Sequence, residues 1–239
     1  MEAPRDDVVL ASFLARCGIA SRRACAGIIS DGRVTVNGEV VTVLATRVRP
    51  GKDQITCDGN PVAESAKRYV LLHKPAGYVC TAKDRHAEKL AGSLIDSSGG
   101  DRLFSIGRLD KESEGLLLYT NDGDLAQLLL HPSHEVEKVY VVTTQRPIRR
   151  SELQRLVAGI EDGGDLLKAK AVRSTGVCQF RITVAEGKNR EVRRMVRQLG
   201  GHVKHLIRVR FGPLELGEFN PGFFRDLLPE EVAALRPRA

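Results

Sequence analysis

Leu10, Phe13, Leu14 and Cys17 fall on one face of a helix, and Gly18 closes that turn. Ser21 is placed to cap a second helix that runs to about Ser30, before Asp31-Gly32. Alternation then replaces the helical period. Arg33 to Val41 reads as two short strands around Asn37-Gly38, a dipeptide favoured in tight hairpin turns. Residues 59–68, GNPVAESAKR, have no period and read as a linker. Beyond it, Tyr69-Val70-Leu71-Leu72-His73 is a short apolar strand stopped by Lys74-Pro75, with another beginning near Tyr78. Leu103 to Gly123 reads as strand, charged loop, strand. Its stretch Leu116 to Tyr119 has no polar face, which predicts a central strand covered on both sides.

Farther along, Ser151-Glu152-Leu153-Gln154 has the form of a capping box opening a helix with Leu153, Leu156, Val157 and Ile160 on one face. A helix over 189–199 carries Val192, Met195, Val196 and Leu199 as an apolar stripe, with Arg190, Arg193, Arg194 and Arg197 on the other side. After Gly200-Gly201 a strand alternates Val203, Ile207, Val209 and Phe211 with Lys204, Arg208 and Arg210. Short helices mixed with strands place the chain in the α+β class, with a small domain over 8–58 and a larger one over 69–239.

Charge sharpens this division. The 239 residues carry a net charge of +7, but it is unevenly spread. Residues 8–52 hold seven basic side chains against two acidic ones, and residues 186–211 hold eight against two, so these stretches carry +5 and +6 and the remainder −4. Two basic regions on an otherwise slightly acidic chain read as two contact surfaces for one polyanion. Arg22 and Arg23 lie in the first turn of the second helix, whose N-terminal end favours phosphate; a solvated helix face is the other reading.

Five cysteines without a C-x-x-C pair suggest neither a zinc ribbon nor a disulfide framework, and read as small hydrophobes in a reducing cytoplasm. The first thirty residues carry acids before a broken apolar run, and nowhere do about 18 apolar residues follow one another, so neither a signal peptide nor a membrane span is expected. Two H-x-x-H pairs, 131–134 and 202–205, fail as metal sites on spacing: one contains a Pro, and the other places its histidines on opposite faces of a strand.

The chemistry concentrates in the loop bearing Arg108, Asp110, Lys111, Glu112, Ser113 and Glu114, flanked by Gly107 and Gly115. A loop held between buried strands is a rigid mount for a reactive side chain. Three acids at alternate positions admit a paired-carboxylate glycosidase, which needs a separation of about 5 to 10 Å, and also an ordinary polar turn.

Two resemblances bear on the choice. GIASRRACAGIISDGRVTVNGEVV, within Leu10 to Gly59, resembles the S4 RNA-binding domain, which implies that Ser21, Arg22, Arg23, Arg33 and Asn37 face RNA. GRLDKESEGLLLYTNDG, with HKPAGYVCTAKD at 73–84, EKVYVV at 137–142, EGKNREVRRM at 186–195 and LIRVRFGPLELG at 206–217, resembles the ribosomal-RNA pseudouridine synthases of the small- and large-subunit types. This resemblance implies a mixed, mostly antiparallel catalytic domain, with Asp110 as the catalytic aspartate, Arg193 as its neighbouring cation and Tyr140 stacking on the target base. Arg108, Asn189, Arg190, Arg194 and Arg208 would bind substrate.

The implied reaction exchanges a glycosidic C–N bond for a C–C bond within one nucleotide, so no cofactor and no metal are expected. NREVRRM and LIRVRFG are closer to the large-subunit type. The expected partner is therefore ribosomal RNA or a ribosomal-subunit precursor, met in the cytoplasm by a monomer. The same reaction on small-subunit RNA, and a ribosome-binding module without activity, are the alternatives.

Overall fold

The computed structural model describes residues 7–81, 89–95 and 102–236. These form two compact units, the first comprising the chain up to Arg68 with Arg102 and residues 121–123, the second the rest.

In the first unit, β1 (Val8–Val9) leads into α1 (Leu10–Arg16) and α2 (Arg22–Ser30). There follow β2 (Val34–Val36), β3 (Glu39–Val40), β4 (Arg47–Val48), β5 (Ile55–Cys57) and β6 (Asn60–Pro61). Ser21 caps α2, its Oγ accepting from the Ala24 N–H at 3.3 Å. The hairpin turn falls at Asn37-Gly38, both at positive φ, 53° and 87°. Strands pair in the order β3-β2-β5-β6, and β1 pairs with β4. Leu10, Leu14, Cys25, Ile29, Val34 and Val48 are wholly buried between helices and strands. The stretch read as linker begins later than its composition suggested: Asp58 and Gly59, at φ 51° and 78°, turn the chain back, so that Asn60 pairs with Cys57.

The second unit comprises β7 (Tyr69–Lys74), β8 (Phe104–Ile106), β9 (Glu114–Thr120), α3 (Gly123–Leu130), β10 (Lys138–Thr144) and α4 (Arg150–Ala158). It continues with β11 (Ile160–Asp162), β12 (Asp165–Leu167), β13 (Ala171–Gly176), β14 (Gln179–Val184) and α5 (Glu191–Gln198). The last elements are β15 (Val203–Phe211), β16 (Leu214–Glu215), β17 (Phe224–Asp226) and α6 (Pro229–Ala234). A mixed sheet runs β13-β14-β10-β15-β9-β7-β17, with β8 beside β9 and β16 beside β15. All its pairings are antiparallel except β9 with β15, where Ile207 faces Glu114 and Arg208 faces Gly115.

The apolar run of β9 is covered on both faces, as expected. Leu116 and Leu118 pack with Leu125 and Leu129 of α3, while Leu117 and Tyr119 pack with Val70, Leu72 and Leu109. The stripe Val192, Met195, Val196 and Leu199 is buried against Val142, Phe180, Ile182 and Leu206 of the sheet. Among the described residues no helix is long and apolar enough to cross a membrane.

Four local expectations change. No strand starts at Tyr78; Val79 makes an isolated bridge to Leu90. Helix α4 is capped at Arg149, whose N–H is held at 2.9 Å by the Glu152 carboxylate, so Ser151 lies inside the helix. Gly159, at φ 109°, ends α4 and sends Ile160 into β11 instead of the helix face. In β15 a bulge leaves Val209 unopposed between Arg208 and Arg210, which reverses the inward side. Leu206, Arg208 and Phe211 are the buried positions, so Arg208 does not project to solvent as simple alternation requires.

The arginines of α5 also divide. Arg194 binds Asp162, and Asp165 at 2.7 Å, while Arg197 meets Asp162 at 3.0 Å, tying the β11–β12 hairpin to the helix. The hydrogen bond from Arg194, with those from Gln198 and Arg197, holds the Asp162 pKa down from 3.8 to about 2. A carboxyl depressed in the folded state contributes stability that is present above its unfolded pKa and is lost as pH falls from about 4 to 2. Asp162→Asn should lower the melting temperature at pH 7 and flatten its decline over that acidic range; an unchanged decline would remove Asp162 from the acid response.

Candidate active site

The Asp110 loop hangs between β8 and β9 and is held by groups distant in sequence. Lys74, the last residue of β7, is wholly buried and donates its ammonium to the carbonyls of Pro75, Asp110 and Ser113 at 2.9, 3.2 and 2.7 Å. Three acceptors match the three N–H bonds of an ammonium, which compensates a cation taken out of water. Burial nonetheless pushes the Lys74 pKa below its ordinary value. The Leu109 N–H reaches Cys80 Sγ at 3.4 Å, and the Lys111 carbonyl accepts from Gly77 N–H at 2.7 Å. A turn from Asp110 to Ser113, closed at 3.0 Å, completes the mount.

The three acids go to different places. Glu114 Oε1 meets His73 Nε2 at 3.0 Å, and the other ring nitrogen of His73 lies 2.6 Å from the Phe219 carbonyl. Glu112 is bound by Arg190 at 3.0 Å, which draws its pKa down. Asp110 Oδ2 faces both Arg190 Nη1 and Arg193 Nε at 3.9 Å, with its side chain 28% exposed. Arg193 is anchored by the Glu112 carbonyl at 3.1 Å and Ser113 Oγ at 3.4 Å, so its charge is fixed beside Asp110.

Asp110 opens into a cavity of about 740 Å³ that Glu112 and Glu114 do not line. Its walls include Arg108, Leu129, Lys138, Tyr140, Val184, Glu191, Leu206, Arg208 and Phe211. Tyr140 and Arg208 are cross-strand neighbours. Arg208 is 3% exposed, and its Nε donates to the Leu116 carbonyl at 2.7 Å, bridging β15 to β9. The cavity thus sets the Asp110 carboxylate beside an aromatic ring and guanidiniums in a largely apolar shell. That arrangement suits a flat, polar, uncharged ring attached to phosphate-bearing chain, and the paired-carboxylate reading of the loop fails because Glu112 and Glu114 lie outside the cavity.

Of the other residues named from the sequence, Arg108, Asn189 and Arg190 are exposed around the cavity and the start of α5. Asn189, Arg190, Arg193, Arg194 and Arg197 also line a second hollow of about 320 Å³. Arg194 has two carboxylate partners within the fold. In the first unit Arg22 and Arg23 are exposed in the first turn of α2, whereas Arg33 is paired bidentately with Asp58 at 2.8 and 2.6 Å. Asn37 braces its own turn, accepting from Gln54 N–H at 2.9 Å and donating to Asp53 at 3.2 Å. The sequence reading missed Lys74, Lys138 and Glu191. A lysine ending a fully apolar strand was a usable signal for the first; for Glu191 nothing in the helix pattern distinguished it from a solvated acid.

Comparison with known proteins gives the family. Residues 68–198 match the family model for RNA pseudouridylate synthase, and residues 10–62 the model for the S4 domain. The ribosomal large subunit pseudouridine synthase B of Bacillus subtilis is 37% identical over 238 residues, spanning 96% of both chains. An uncharacterized RNA pseudouridine synthase of Mycobacterium tuberculosis is 42% identical over 233 residues, 95% of this chain and 92% of that one. A solved pseudouridylate synthase aligns with a TM-score of 0.70 at 27% identity, over 96% of this chain and all of its own. A match over more than half the chain, joined to near full-length relatives, makes this protein a member of the RNA pseudouridylate synthase family.

Proposed function

We propose that the protein isomerises one uridine of large-subunit ribosomal RNA to pseudouridine, with Asp110 as the catalytic carboxylate. The observation that carries this reading is that Asp110, alone of the three acids in its loop, lines the cavity and faces two arginines. The reaction breaks the bond from ribose C1′ to N1 and forms one from C1′ to C5. The C5 hydrogen leaves as a proton and N1 gains one, so nothing is oxidised and no group is transferred. A carboxylate set beside Arg193 is equipped to act on the ribose carbon or to take a proton. Tyr140 gives the extruded base a stacking surface, and extrusion from a folded RNA costs a few kcal/mol that such contacts offset.

Arg108 and Arg190 at the cavity, Asn189 in the adjoining hollow and Arg208 in the cavity wall are the substrate-binding residues of this reading, and Arg22 and Arg23 are its phosphate contacts on the S4 domain. Arg194, Arg33, Asn37 and Ser21 serve first to shape those surfaces, since each has a partner within the fold. The choice of large-subunit RNA draws on the NREVRRM and LIRVRFG stretches and on the full-length likeness to the Bacillus subtilis protein. The protein would act as a cytoplasmic monomer on that RNA or on a subunit precursor. Pseudouridine maps of ribosomal RNA from cells with and without the gene test this directly: one lost site in the large subunit is expected. Identical maps would reject the function, and a site lost in the small subunit would reject the substrate.

Salt reports on the first unit. If Arg22 and Arg23 contact phosphates, replacing both with Ala should flatten the dependence of log affinity on log salt by about one to two. An unchanged slope in a filter-binding titration would take this face out of the RNA-binding surface.

A further inference from the structure

Two residues of the cavity wall each carry a buried polar atom that makes no hydrogen bond, and the two atoms are of opposite kinds. Glu191 Oε1 is an acceptor on a residue 5% exposed, and Arg208 Nη2 is a donor on a residue 3% exposed. Both residues line the cavity that holds Asp110 and Tyr140. Leaving a buried donor or acceptor unmet is costly, so an unmet pair on two residues of one cavity wall points to a ligand that meets both. Resting on the function proposed above, the ligand entering here is a uracil ring stacked on Tyr140, whose cross-strand neighbour is Arg208.

Uracil presents one imide edge, with N3–H as donor between two carbonyl acceptors. We propose that Glu191 and Arg208 read this edge, Glu191 accepting from N3–H and Arg208 donating to the adjoining carbonyl. Cytosine reverses the pattern, with a bare N3 and an amino donor in place of O4. A carboxylate would then meet a lone pair and a guanidinium would meet N–H, so the same two side chains that hold uracil reject cytosine. The pair is therefore a specificity determinant beside the catalytic carboxylate.

The surroundings of Glu191 fit this role. Lys138 of β10 spends its ammonium on the carbonyls of Ala185 and Glu186 at 2.9 and 3.4 Å. Glu186 and Lys188, which precede α5, pair with each other at 2.7 Å. Burial and the charge of Glu186 push the Glu191 pKa up to about 7, against the opposing charges of Lys188 and Lys138. Arg208 adds its positive charge from β15 next to Lys138. Below pH 7 the carboxyl takes a proton and loses strength as an acceptor, so recognition should weaken as pH falls.

Large-subunit ribosomal RNA transcribed with 5-tritiated uridine releases tritium at each turnover, because C5 loses its hydrogen. Glu191→Leu should lower kcat/KM about 10- to 100-fold. The unmodified enzyme should show an inflection near pH 7; Glu191→Gln, which keeps a carbonyl acceptor, should retain most of the activity and lose that inflection. Once the target uridine has been mapped, an RNA carrying 3-methyluridine there should bind the unmodified enzyme at least about 10-fold more weakly than its uridine counterpart, and bind Glu191→Leu with little difference. Equal activity in all three proteins, equal loss in both variants, or a 3-methyl penalty undiminished in Glu191→Leu overturns the proposal. If Glu191→Leu fails to fold, the pH profile of Glu191→Gln decides: a retained inflection near 7 overturns the assignment. No tritium release from the unmodified enzyme would reject the function instead.

Discussion

Asp110→Asn is expected to abolish pseudouridine formation, a loss of about 10⁴-fold or more in kcat, while leaving RNA affinity within about threefold. The substitution keeps the size of the side chain and its place in the loop, because Lys74 and Ser113 hold the Asp110 carbonyl and not its carboxylate. What it removes is the negative charge between Arg190 and Arg193. Those arginines then face a neutral amide that neither attacks a ribose carbon nor accepts a proton at neutral pH. The measurement is a pseudouridine map of ribosomal RNA from cells whose only copy carries the variant. A non-catalytic RNA-binding protein gives the opposite result, since its occupancy of the ribosome owes nothing to that charge. Persistence of the modified site in the variant strain would therefore end the catalytic assignment.

Gly115→Ala should produce the largest loss of stability. Gly115 sits at φ 115°, where the parallel strands β9 and β15 meet. A Cβ there would lie 2.3 Å from the Arg208 carbonyl oxygen and 2.5 Å from its nitrogen, both backbone atoms of a paired strand that cannot turn aside. Strain and overpacking together amount to about 2–6 kcal/mol. For a domain of this size that corresponds to a fall in melting temperature on the order of 10 °C. Gly187→Ala is the comparison, because a Cβ at Gly187 meets nothing within 4 Å. Calorimetry showing equal melting temperatures for the two variants would mean that the sheet opens freely between β9 and β15. The same insertion would shift Arg208 from its bond to Leu116, so activity should fall with stability.

Much of the fold was legible because it is local. The helical period of Leu10, Phe13 and Leu14, the cap at Ser21, the turn at Asn37-Gly38, the unbroken apolar run of β9 and the stripe on α5 all depend on residues within a turn or two of one another. Short-range backbone geometry and the need to bury apolar area decide such features. Local patterning failed where a distant group intervened. Arg208 looked like an outward strand residue until the bulge at Val209 turned it inward, and that bulge exists only in the pairing with β10.

The sequence by itself determined the class of fold, the division of charge into two basic regions and the loop in which the chemistry lies. Only the tertiary structure decided which acid of that loop enters the cavity. Glu112 is claimed by an arginine 78 residues away and Glu114 by a histidine 41 residues away, leaving Asp110 facing Arg193. It likewise separated Arg194, held by Asp162, from Arg190 and Arg193 on the same helix. Ion pairs and buried polar contacts of this kind depend on distances of a few ångströms between segments far apart along the chain. No periodicity encodes those distances; they are set when the sheet closes between β9 and β15.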